Sequence, residues 1–212
     1  MKNKTPDFAY HMTKFFTEYL PIQRNLSPNS IATYRDTFRL LLLFYDTEKH
    51  IKPNLLTLDM LNVQQIEDFM LWLKKERNCG ASTCNQRLGA LKSFFRYLQF
   101  ALPDCALQCQ ENLAIRPMKQ PEPGLKYLTI DGIKLLLEQP DIKTKYGRRD
   151  LAILSLMYDT GARVQEIADI KIVHIRFSAP ATIRITGKGD KTRVVPLLSR
   201  TEDILKQYIK DF

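Results

Sequence analysis

Apolar positions three and four apart dominate the first half of the chain. Residues 6–19 set Phe8, Met12, Phe15 and Tyr19 on one helical face. Ser27-Pro28 opens a long helix, with serine as N-cap and proline at the first helical position. Its stripe is Ile31, Tyr34, Phe38, Leu41 and Tyr45. A third helix follows Asn62 and turns Ile66, Phe69, Met70 and Leu73 inward. After the break at Gly80, Ser82 or Thr83 caps a fourth helix striped by Leu88, Leu91, Phe95 and Leu98. Four such helices can bury one another's stripes as a small bundle. A short helix over 105–113 completes this half.

Periodicity then dissolves around Pro103, Pro117, Pro121, Pro123 and Gly124, and RPMKQPEPGLK reads as an extended, partly stiff linker. Beyond it, Thr129 caps a helix with Ile133, Leu136 and Leu137 inward. Residues 151–158 are apolar nearly all round, the pattern of a central buried helix, and Gly161 ends it. A short helix from about 163 carries Val164 and Ile167. The period then switches to two. Ile183 and Ile185, a turn flanked by Gly187 and Gly189, then Val194, Val195 and Leu197 predict a β-hairpin. Ser199-Arg200-Thr201-Glu202 reads as a capping box opening a last helix with Ile204, Leu205, Tyr208 and Ile209. The expected fold is mainly α with a small antiparallel β-sheet, as a helical domain over 1–117, a linker over 118–124 and an α+β domain over 125–212.

Composition narrows the function. Hydrophobic residues make 44% and charged residues 26%, ordinary values for a globular protein. No apolar run approaches the roughly 20 residues that span a bilayer, and the N-terminus lacks the apolar core of a secretory signal. A cytoplasmic protein without a membrane partner is the expectation. Cys79, Cys84, Cys105 and Cys109 lack zinc-site spacing, so reduced thiols and no metal are expected. The net charge of +9 favours a polyanion, nucleic acid first and anionic membrane second.

Two places suggest chemistry. In TGARVQEI, Arg163 stands at a helix start, where partial positive charge disfavours a cation. An anion at the same spot resolves the conflict, and a phosphate fits best because the guanidinium fork can hold two of its oxygens. Glu166 can fix the guanidinium from behind or reach back as a cap. Lys188, between Gly187 and Gly189, is an ammonium on a hairpin tip, able to reach a phosphate or protonate a leaving oxygen. Lys191 and Arg193 can share such a contact.

TGARVQEI followed by TGKGDKTRVVPL resembles the tyrosine recombinases, or phage-type integrases. LSPNSIATYRDTFRLLLLF and STCNQRLGALKSFFRYL resemble the two signature helices of that family's SAM-like core-binding domain, so the likeness covers almost the whole chain in order. It implies DNA cleavage without metal or other cofactor, by a tyrosine that forms a 3′-phosphotyrosyl link. Arg163 matches the first catalytic arginine, Lys188 the hairpin general acid and Glu166 the acidic support of the arginine. Asn29, Thr33, Ser82, Thr83, Asn85, Gln86 and Arg87 match the helix starts that face double-stranded DNA, with Arg35, Arg39, Lys92 and Arg96 as further phosphate contacts. The family's later His/Lys-x-x-Arg and nucleophilic tyrosine have no match after the hairpin, and Tyr208 comes too early. The second domain is therefore expected to be a truncated catalytic domain that does not cleave alone. Further protomers are expected on DNA, as a tetramer in full-length form, and a monomer without it. The alternatives are a non-enzymatic DNA-binding protein derived from a shortened integrase and a type IB topoisomerase-like enzyme.

Overall fold

The computed structural model describes residues 7–120, 124 and 127–211. The chain divides into two units, Met1–Pro123 and Gly124–Phe212. Of the expected linker over 118–124, residues 121–123 lie outside the described ones, as does the expected start of the first helix at residue 6.

In the first unit, α1 (Phe8–Lys14) runs straight into a π-wound stretch, Phe15–Gln23, past the end expected at 19. Ser27 caps α2 (Pro28–Glu48) by accepting the Ser30 N–H, and Asn62 caps α3 (Val63–Lys75) by accepting the Gln65 N–H. α4 (Ala81–Ala101) differs from expectation, because Gly80 in extended backbone is its N-cap. Ser82 and Thr83 therefore sit inside the first turn and cap nothing. α5 (Ala106–Ala114) follows a 3-10 turn.

The apolar stripes meet as expected. Phe15, wholly buried, packs its ring 5.1 Å from Phe94, 5.7 Å from Tyr97 and 5.9 Å from Phe38. Rings at such spacings and tilts add directional attraction to area burial. Two polar side chains inside find backbone partners, while the buried Nδ1 of His11 and Oδ1 of Asn112 have none among the described residues. The Tyr45 hydroxyl donates to the Met60 carbonyl at 2.7 Å, and buried Asn112 donates to the carbonyls of Leu61 and Gln108.

In the second unit, α6 (Ile130–Glu138) is capped by Thr129 but buries no residue. Ile133 and Leu137 are half-buried, and Leu136 is exposed rather than inward. α7 (Lys145–Thr160) is capped by Thr144 and closes on Gly161 at φ +59°. It is amphipathic, not buried all round: Ala152, Ser155 and Leu156 face the core, while Tyr158 is 54% exposed. The apolar run is only its second half, and a helix has two faces whatever its composition.

α8 (Val164–Ala168) leads to a three-stranded antiparallel sheet in the order β1 (Ile175–Arg176), β2 (Thr182–Thr186), β3 (Thr192–Pro196). The short β1 was not expected. Ile183 pairs with Val195 and Ile185 with Arg193. Ile183 and Ile185 are buried with Ala152, Leu156, Ile167 and Leu205 of α9 (Ser199–Lys210). The expected capping box does not form, because Ser199 is the first helical residue and Leu198 is the N-cap. The Leu198 N–H is taken instead by Asp159 of α7 at 2.8 Å, and Glu202 pairs with Lys206. Among the described residues, no helix is long and apolar enough to cross a membrane.

Candidate functional site

Gly161 turns the chain out of α7 in a left-handed conformation, and two residues later Arg163 becomes the N-cap of α8. Its backbone N–H donates to Glu166 Oε2 at 3.1 Å, and its Nη1 donates to Glu166 Oε1 at 2.8 Å. The arginine at the helix start thus has an anion within its own chain. α8 spans only five residues, so its dipole is a small influence beside a full carboxylate.

A second guanidinium reaches the same carboxylate. Arg193 of β3 donates from Nη2 to Glu166 Oε2 at 2.8 Å. The register explains how: Arg193 lies opposite buried Ile185, and directly paired residues share a face of the sheet. The Glu166 side chain is 5% exposed and accepts three hydrogen bonds on two oxygens. Arg193 first, then the backbone and side chain of Arg163, hold its carboxyl down to about 2. Arg163 itself is 76% exposed. Its Nε and Nη2 have no partner among the described residues and remain available to an oxyanion.

The hairpin turn closes against this cluster. A Cβ at Gly187 would lie 2.6 Å from Glu166 Oε1 and 3.7 Å from Arg193 Nη1. Glycine here lets the carboxylate sit against the turn, a role inside the protein where the sequence suggested close approach to a partner. Gly189 at φ +74° and Asp190 at φ +59° complete the turn, which the Gly187 N–H closes on the Lys191 carbonyl at 2.9 Å. Lys188 is exposed at the tip, without a hydrogen bond or ion pair among the described residues. The structure thus brings together Arg163, Glu166 and the residue preceding Lys188.

Sequence reasoning grouped Arg193 with Lys191 by charge and missed its tie to Glu166. Its signal was phase. In β3, Arg193 falls on the strand phase of Val195, which packs against the core. A lone cation at an inward position calls for a buried anion.

The residues expected to meet DNA divide into two sets. Asn29, Ser82 and Gln86 are exposed near the starts of α2 and α4, with Arg35, Arg39 and Arg96 also exposed along these helices. Thr33 is half-buried and donates to the Asn29 carbonyl, while Thr83 and Arg87 are half-buried. Asn85 and Lys92 are already engaged internally. Asn85 bonds both backbone groups of Met118, at 2.7 and 2.8 Å, and Lys92 donates to the Ile115 carbonyl at 2.6 Å. They tie the segment after α5 to α4. All four cysteines are free, and burial pushes the Cys109 thiol up to about 11. Among the described residues no cluster could hold a metal ion.

Comparison with known proteins places these features in context. Residues 14–100 match the model for the phage integrase N-terminal SAM-like domain, and residues 126–212 the model for the phage integrase family. A Sinorhizobium fredii protein named as an integrase/recombinase is 34% identical over 208 residues, covering 98% of this chain and 63% of that protein. The tyrosine recombinase XerD of Listeria innocua is 31% identical over 198 residues, covering 92% of this chain and 63% of that protein. The chain therefore spans somewhat under two thirds of these relatives' length. In fold it resembles the XerH site-specific recombinase bound to its difH substrate, with TM-score 0.62 and 21% identity over 89% of this chain and 53% of that one. It also resembles the Tn1549 transposon integrase in complex with transposon right end DNA, with TM-score 0.67 and 16% identity over 93% of this chain and 64% of that one.

Proposed function

The chain belongs to the phage integrase family, and on that premise we propose that it binds duplex DNA and supplies part of the phosphodiester-cleaving centre of a site-specific tyrosine recombinase. The observation that carries this reading is the 76% exposed guanidinium of Arg163, fixed from behind by a 5% exposed carboxylate beside the turn that holds Lys188. Such a group is oriented before any ligand arrives, which is what transition-state stabilisation requires.

Residues 1–117 form the DNA-gripping domain in this reading, and 125–212 the catalytic portion. Arg163 binds the non-bridging oxygens of the scissile phosphate as negative charge builds there. A tyrosine of the complete recombinase attacks phosphorus, and the phosphorus–5′-oxygen bond breaks. Lys188 gives its proton to the departing 5′-oxygen, leaving a free hydroxyl and a 3′-phosphotyrosyl link. Neither metal nor high-energy cofactor takes part. Asn29, Thr33, Ser82, Thr83, Gln86 and Arg87 meet the duplex, where protomers of the complete recombinase assemble as tetramers and the free protein is a monomer.

Relatives named as recombinases, neighbours in fold solved with DNA, and the net charge of +9 support this reading. Its test is binding to a labelled duplex across salt. Neutralising six or more phosphates predicts about a thousandfold loss of affinity between roughly 50 and 200 mM salt. Salt-insensitive binding, or none at the low end, would contradict it.

A further inference from the structure

Glu166 is one carboxylate between two guanidiniums, and the division of its oxygens is unequal. Oε1 receives Arg163 Nη1, while Oε2 receives Arg193 Nη2 and the Arg163 backbone N–H. The cluster therefore keeps a net charge of about +1, carried outward by Arg163. Without Arg193 the balance changes. Arg163 and Glu166 would form a neutral pair, and Oε2, left with the Arg163 backbone N–H as its one donor, would compete with any outside anion for the remaining N–H groups of the Arg163 side chain.

Arg193 also joins two elements that local sequence leaves separate. It belongs to β3, and through Glu166 it connects the hairpin to the N-cap of α8. Gly187 seals the junction, because the carboxylate occupies the space that a side chain there would fill.

We infer that Arg193 is a positioning residue: it takes one oxygen of Glu166, leaves the Arg163 guanidinium free for an external phosphate, and locks the Gly187–Lys191 turn against α8 so that Lys188 stays beside that phosphate. This rests on the recombinase reading for the identity of the phosphate. The latch touches no substrate itself.

The test uses the whole chain and follows two NMR signals, the Arg163 side-chain Nε–H and the Lys188 backbone amide, during titration with inorganic phosphate. In the unsubstituted protein both signals move with one dissociation constant. Arg193→Gln weakens phosphate at Arg163 about tenfold or more, the scale set by hydrogen bonds to charged groups, and Lys188 no longer follows Arg163. Arg193→Lys recovers part of the affinity, because the charge remains while the planar fork is lost. Gly187→Ala displaces the carboxylate without changing any charge and separates the two signals in the same way. If Arg193→Gln fails to fold by thermal melting, the lysine and alanine variants still decide.

The inference is overturned if phosphate leaves both signals of the unsubstituted protein unmoved. It is equally overturned if folded Arg193→Gln or Gly187→Ala binds phosphate with unchanged affinity and coupled signals. A parallel titration with duplex DNA separates the two readings. Failure of the unsubstituted protein to bind duplex removes the recombinase reading, while the phosphate titration still judges the latch.

Discussion

Glu166 concentrates the chemistry of the second unit in one side chain. Its carboxyl is held down to about 2, from an ordinary value of 4.5, by Arg193 first and Arg163 next. A depressed folded-state value means that ionised Glu166 favours the folded form. Its contribution is complete above the unfolded-state value near 4.5 and is lost as pH falls through the folded value near 2. Glu166→Gln should therefore melt at a temperature that changes less between pH 5 and pH 2.5 than the unsubstituted protein does. Equal slopes would show that the carboxylate is not tied as described. Arg163, Lys188 and Glu166 stand out in the sequence because each sits in a recognisable motif. Arg193 and Gly187 lie in the hairpin motif too, but their roles were not legible there, because each is set by an atom of Glu166, far away along the chain.

Element boundaries follow the same logic. Caps at Ser27 and Thr129 were legible because the whole interaction lies within four residues. The start of α9 was not, since Asp159 of α7 holds the Leu198 N–H in place of a local box. The all-round apolar run in α7 was misleading for a related reason. Composition says what could be buried, while partners decide which face is. Gly147 shows how tight one contact is, with a Cβ there falling 1.9 Å from the Asp141 carbonyl oxygen. That neighbour is backbone and cannot swing aside. Gly147→Ala should therefore destabilise the second unit by about 1–3 kcal/mol or more, the range for overpacking, measured by thermal or denaturant unfolding. An unchanged midpoint would mean that the turn at 141–147 yields easily.

At the scale of the molecule, the chain divides into two units with separate cores, and the proline-rich stretch after residue 102 still packs on the first core through Leu113, Ile115 and Met118. The four-helix pattern of the first unit was readable because its stripes are long and its contacts mostly between neighbouring helices. The same range also hid internal ties: Asn85 and Lys92 look like DNA-facing polar residues and instead hold the chain from Ile115 to Met118. The account as a whole stands on Arg163 and Lys188 acting on one phosphodiester. A double-mutant cycle on duplex DNA affinity, with Arg163→Ala, Lys188→Ala and both together, tests this most directly. The account predicts that the double variant loses less binding free energy than the two single losses combined, with a coupling of about 0.5 kcal/mol or more. Losses that add, or no loss in either single variant, would contradict it.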